Sequence, residues 1–148
     1  MDPVQFLRLA EWLLAEQRHA AGLRSAVSRA YYAAHHHVKD FVESAGVRIV
    51  GSGAAHADVW NHLTNVGDPD IERVGIDLTR LHAARIDADY RLSVRQIEIQ
   101  TTAGTWVATA RDLFTVVEAC RADEARWKRV ADAIRRRHAI LRYGSAAP

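Results

Sequence analysis

Cysteine, proline and methionine are scarce in this chain of 148 residues, which holds one cysteine, three prolines and one methionine. The single Cys120 excludes an internal disulfide and fits a reducing compartment. None of the prolines lies deep inside a periodic segment, so nothing interrupts long helices. No apolar run approaches the roughly 18 residues that span a bilayer. Met1-Asp2-Pro3-Val4-Gln5-Phe6 lacks the basic-then-apolar form of a signal peptide. Neither sign of charge dominates: 20 Lys+Arg against 18 Asp+Glu leave a net charge of +2. Nucleic-acid binding would therefore have to come from local clustering of basic residues. Glycine-rich phosphate loops, Cys-x2-Cys pairs and His-Glu-x2-His are all missing, as are internal repeats and low-complexity segments. No cofactor and no metal is expected. A composition of 49% hydrophobic and 26% charged residues excludes a disordered tail. These features predict a soluble, cytoplasmic protein in one domain, residues 1–148.

What is abundant is alanine, leucine and arginine, all good helix formers. Asp2-Pro3 opens a first helix carrying Phe6, Leu9, Ala10, Leu13 and Leu14 at helical spacing, with a stop near 20–22. A second helix is predicted over about 23–45, stopped by Gly46. Val47, Ile49 and Val50 form a short apolar run, too isolated to predict a strand. Ser52 is a candidate cap for a third helix over about 54–65. Asp68-Pro69 opens a fourth, to about Tyr90. A loop over 91–102 follows, and then a long helix over about 103–141 that bends near Cys120–Ala122 and ends at Tyr143-Gly144-Ser145. The fold class is therefore all-α, an antiparallel bundle of about five helices.

On the second helix, Leu23, Val27, Ala30, Ala34, Val38, Phe41 and Ala45 make one apolar stripe at about 100° per residue. Ser25, Arg29, Tyr32, His36 and Glu43 collect opposite it. That face is either solvated or a subunit or substrate face, where arginine and aromatics are enriched. His35-His36-His37 fan out around the helix and cannot all ligate one ion. Cys120, among Val116, Val117 and Ala119, reads as a buried structural thiol. On the fourth helix, Arg85 continues the stripe of Ile71, Val74, Leu78 and Leu81, with Asp89 one turn on. A charge at a core-facing position needs a partner, and Asp89 at i+4 can supply it. The pair is either a partly buried ion pair or an arginine aimed into a cleft. Arg126, Lys128, Arg129, Arg135, Arg136, Arg137, His138 and Arg142 make the chain's end basic, with Asp123, Glu124 and Asp132 interleaved. This is either a solvated helix face or a phosphate-binding surface.

Arg24-Ser25-Ala26-Val27-Ser28-Arg29-Ala30-Tyr31-Tyr32-Ala33-Ala34-His35 resembles the second-helix signature of HEPN domains (higher eukaryotes and prokaryotes nucleotide-binding). His56, followed by Val59 and Leu63, is similar to that family's third-helix start. Arg85-Ile86-Asp87-Ala88-Asp89-Tyr90 is similar to its Arg…Ala-Asp-Tyr element. The resemblance covers roughly residues 5–120. It implies a compact helical bundle, commonly a homodimer. Its members include metal-independent ribonucleases and non-catalytic RNA-, nucleotide- or partner-binding modules. Many act in toxin–antitoxin or phage-defence systems beside a nucleotidyltransferase-type antitoxin. The family's nucleases pair an arginine with a histidine after four to six residues. Here Tyr90 stands at that place after Arg85, while Arg29 with His35 or His36 fits the spacing on the second helix. The resemblance thus implies Arg29, His36, His35 and Arg85 as catalytic candidates, with Tyr32, Asp89 and Tyr90 in binding, and RNA as the target.

Overall fold

In the computed structural model, residues 20–44 form the central helix around which the others pack. The structure describes residues 1–51 and 55–144. The helices are α1 (Val4–Glu16), α2 (Ala20–Ser44), α3 (Ala55–Asn61), α4 (Pro69–Tyr90), α5 (Gln100–Ala122) and α6 (Glu124–Tyr143), with a 3-10 turn at Arg95–Glu98. Helix α2 touches all five others, and the all-helical bundle matches the predicted class. The expected stripe on α2 is the core: Leu23, Val27, Ala30, Ala34, Val38 and Phe41 are at most 2% exposed. Tyr31, Ala33 and Val42 are fully buried as well, so α2 is enclosed on more than one face. Its alanines allow neighbouring helices to approach closely. Cys120 is fully buried, and burial raises its thiol pKa. No helix among the described residues is long and apolar enough to cross a membrane.

Several boundaries differ from the sequence expectations. Helix α1 stops at Glu16, and α2 starts at Ala20, where His19 Nδ1 accepts the Gly22 N–H at 3.2 Å. Gly22 is required there, because a Cβ would fall 2.0 Å from the Gln17 carbonyl oxygen. The expected start of α3 at Ser52 and residue 54 lies outside the described residues, as does Ser145. Helix α3 ends at Asn61 rather than near 65. The segment 91–102 is not wholly a loop: it contains the 3-10 turn, and α5 begins at Gln100. The single long last helix is two helices. Asp123 leaves the helical region at φ −96° and ψ 100°, and its carboxylate caps the Arg126 N–H at 3.0 Å, restarting the chain as α6. The described residues thus hold six helices, compatible with the expected bundle of about five.

Three arginines fix the ends of these helices. Arg24 is 7% exposed, and its guanidinium donates to the Asp87 and Ala88 carbonyls at 2.9 and 3.1 Å. It also donates to the Leu92 and Val94 carbonyls at 3.1 and 2.8 Å and to Glu98 Oε1 at 2.9 Å. One side chain thus satisfies two of the orphan carbonyls at the end of α4 and fastens the turn that follows. Arg126 forks onto Asp68, the cap of α4, at 2.7 and 2.9 Å, which joins α6 to the start of α4. Arg135 donates to the Ala45 carbonyl at 2.7 Å and anchors α6 at the end of α2.

Candidate functional site: a tyrosine–histidine–arginine cluster

Helices α2, α3 and α4 converge on a set of aromatic and basic side chains that is not packed as an apolar core. Spacing on α2 starts it: Arg29, Tyr32 and His36 recur at intervals of three and four, and Ser28, Tyr31 and His35 form a second row one residue behind. Helix α3 contributes His56 and Trp60, and α4 contributes His82, Arg85 and Asp89, again one turn apart.

Arg85 is 7% exposed. Its Nη2 donates to Tyr32 Oη at 2.5 Å, and its Nε lies 3.3 Å from Asp89 Oδ2. The guanidinium carbon is 5.7, 5.2 and 5.3 Å from the ring centroids of Tyr31, Tyr32 and Tyr90, so the charge sits in an aromatic enclosure. Burial opposes that charge, but the Tyr32 hydrogen bond and nearby Asp89 outweigh it, and the arginine's pKa is raised. Ser28 donates to Asp89 Oδ2 at 3.0 Å. Arg29 donates to Ser28 Oγ at 3.4 Å, and its guanidinium carbon also lies 5.2 Å from the Tyr32 centroid. Two cations therefore share one ring.

Histidines line the other side of Tyr31. Tyr31 is fully buried, and burial lifts its hydroxyl above the ordinary phenol range, so it keeps its proton. Its hydroxyl is hydrogen-bonded to His56 Nδ1 at 2.5 Å. His35 Nδ1 approaches the same hydroxyl at 3.5 Å. The His35 and His56 rings are 4.6 Å apart, and His82 lies 5.4 Å from His56 and 5.3 Å from both Tyr31 and Trp60. Burial and the neighbouring His56 lower the His35 pKa to about 3. Burial, then the Arg85 charge, lowers His56; burial, His56 and Arg85 lower His82. At neutral pH these three rings are uncharged beside a permanent cation.

The structure brings all seven sequence-predicted residues into this one neighbourhood. Arg29, Tyr32, Arg85, Asp89 and Tyr90 are directly linked through the contacts above. His35 is buried among the histidines. His36 points outward, 6.3 Å from the Tyr32 ring and 6.2 Å from the Phe6 ring. The fan-out of the triplet is complete: His37 turns to α5, stacked on Phe114 at 3.9 Å. Tyr31, Ser28, His82 and Trp60 also take part, beyond the residues that spacing and resemblance point to. His82 carries a signal, since it stands one turn before Arg85 on the same helix face. Trp60 carries none, because its contact depends on how α3 lies across α4. Among the described residues, no group of three or more His, Cys, Asp or Glu side chains is arranged to hold a metal ion.

The chain has no match among protein-family models, curated proteins or solved structures.

Proposed function

We propose that this chain is a HEPN-type module that dimerises and targets RNA with metal-independent, ribonuclease-like chemistry, in a cytoplasmic toxin–antitoxin or phage-defence system. The observation that supports this most is the placement of Arg29 and Arg85 against the single ring of Tyr32, with histidines around it. The cluster holds two guanidinium groups and one carboxylate, Asp89, which pairs with Arg85, so it carries net positive charge suited to phosphate. The arginines balance charge that develops on a reacting phosphate, and a histidine moves the proton. His36 is the exposed histidine of the group and adjoins Tyr32, which gives it the proton-transfer role. His35, buried and held neutral, positions Tyr31. Two-fold association through the polar side of α2 or α4 would bring two such clusters together. A nucleotidyltransferase-type antitoxin is the operon partner this reading implies.

The test is RNA cleavage in the presence of a chelator, comparing the wild type with His36→Ala, His35→Ala and Arg85→Ala. The reading expects cleavage by the wild type and a loss of about 100-fold or more in Arg85→Ala and His36→Ala. Undiminished cleavage in all three variants refutes these roles.

A second reading is a non-catalytic module that binds a partner protein, RNA or nucleotide. It is favoured by the enclosure of Arg85, whose Nη2 and Nε already face Tyr32 and Asp89, and by Tyr90 in place of a histidine. Binding without cleavage by the wild type would select it.

A further inference from the structure

We infer that α6 carries a second nucleic-acid contact, a basic trough that holds the backbone of the same RNA away from the Arg85 cluster; this rests on the RNA-targeting reading above. Between residues 126 and 142 the chain has seven Lys and Arg side chains and one carboxylate, Asp132. Several of those cations are occupied: Arg126 by Asp68 and Asp70, Arg135 by Asp132, and Arg142 by Asp58 at 3.8 Å. Arg129 and Arg136 are exposed and have neither an ion pair nor a hydrogen bond among the described residues. They stand seven residues apart, so they share one face of α6 about 10 Å apart along its axis.

Both arginines line a cleft of about 400 Å³ between α6 and the Val66–Pro69 turn. Two carboxylates, Asp68 and Asp132, line it too, but each is already neutralised, by Arg126 and by Arg135. The cleft's uncompensated charge is therefore positive. A second cleft of about 350 Å³ continues it, sharing Val66, Gly67 and Arg136 and ending at Arg137 and Ile140. The floor residues Val66, Val130 and Ala133 are at most 7% exposed, while Ile140, 46% exposed, offers an apolar surface in the second cleft. Recognition in the first cleft is by charge at the rim, from Arg129 and Arg136. That fits a phosphate backbone better than an amphipathic peptide, and it carries no base readout. Helix α3 connects the two sites. His56 and Trp60 belong to the cluster, whereas the Asn61 carbonyl accepts from Arg137 at 3.1 Å and His62 Nε2 meets His138 Nδ1 at 2.9 Å.

The experiment measures binding of a fluorescein-labelled, unstructured single-stranded RNA 20-mer across a salt series. The proteins are the wild type, Arg129→Ala/Arg136→Ala, and Arg80→Ala/Arg95→Ala as a control that removes two exposed cations elsewhere. The trough variant should bind about 10- to 30-fold more weakly near 0.1 M salt, with its log–log salt slope reduced by about 1.4, the value for two lost single-strand phosphate contacts. The control variant should stay within about 2-fold of the wild type. If the wild type binds RNA and the trough variant matches it in affinity and slope, the trough is refuted while the RNA reading stands. If the wild type binds no RNA at any salt, both fall. Binding of polyglutamate but not RNA, lost in the trough variant, would assign the surface to an acidic polypeptide and overturn the inference.

Discussion

Tyr31 Oη and His56 Nδ1 share a hydrogen bond of 2.5 Å, and this contact ties the central helix to α3. Tyr31 is fully buried and His56 half-buried, so the bond fixes the position of the His56 ring. Tyr31→Phe keeps the ring and removes the bond. It should cost about 1 kcal/mol in urea denaturation. Without this bond His56 should titrate at a different pH from the wild type, read by NMR of its ring protons. An unchanged His56 titration would show that Tyr31 does not hold it.

Arg24 should matter more to stability than any exposed arginine. Arg24→Ala strands the carbonyls of Asp87, Ala88, Leu92 and Val94, and we expect a loss of about 3–5 kcal/mol. Arg24→Lys should recover little of it, since an ammonium cannot reproduce the planar fork. Arg95→Ala, which removes an exposed partner of the same Glu98, should change stability by about 0.5 kcal/mol or less. Equal effects of Arg24→Ala and Arg95→Ala in urea melts would contradict this.

Asp89→Ala removes the carboxylate beside a guanidinium that is 7% exposed, and it also frees Ser28. The expected cost is about 1–3 kcal/mol, measured by denaturant midpoint. A change within about 0.5 kcal/mol would mean that Tyr32 alone satisfies Arg85.

Stability should fall as pH drops from about 6.5. His35 has a folded pKa of about 3, below its ordinary value of 6.5, so between these values the unfolded chain binds a proton that the folded chain refuses. Its stabilising contribution is complete above pH 6.5 and declines by up to about 1.4 kcal/mol per unit below it. His36, His37, His56, His82 and His138 are shifted in the same direction. Urea midpoints at pH 7.5 and 5.5 should differ, and His35→Asn should flatten the dependence. A midpoint independent of pH over that range would contradict the neutral, buried state of His35.

Much of the fold was legible because it follows from periodicity. The α2 stripe, the Asp68-Pro69 start of α4 and the core-facing Arg85 with Asp89 all rest on the angle between successive helical residues. What was not legible depended on contacts between distant segments. Nothing local marks Arg24 as the cap of another helix 63 residues away. Asp123 stands among several interleaved acids, and its position between two helical runs is a cap signal that the neighbouring Glu124 and Asp132 obscure. At the site, α2 and α4 spacing selected Arg29, Tyr32, His36, Arg85 and Asp89. Tyr31 and His35 lie nearer the apolar stripe, and their joining with His56 and His82 required knowing how α3 crosses the bundle.

The central claim is that the Arg29–Tyr32–Arg85 cluster is where RNA is engaged. The most direct measurement is a titration of the protein with single-stranded RNA, followed through the ring signals of assigned histidines by NMR. The account predicts saturable shifts at His36, His56 and His82 that are lost in Arg85→Ala. Saturable RNA binding that leaves all three of these rings unshifted in the wild type would contradict it.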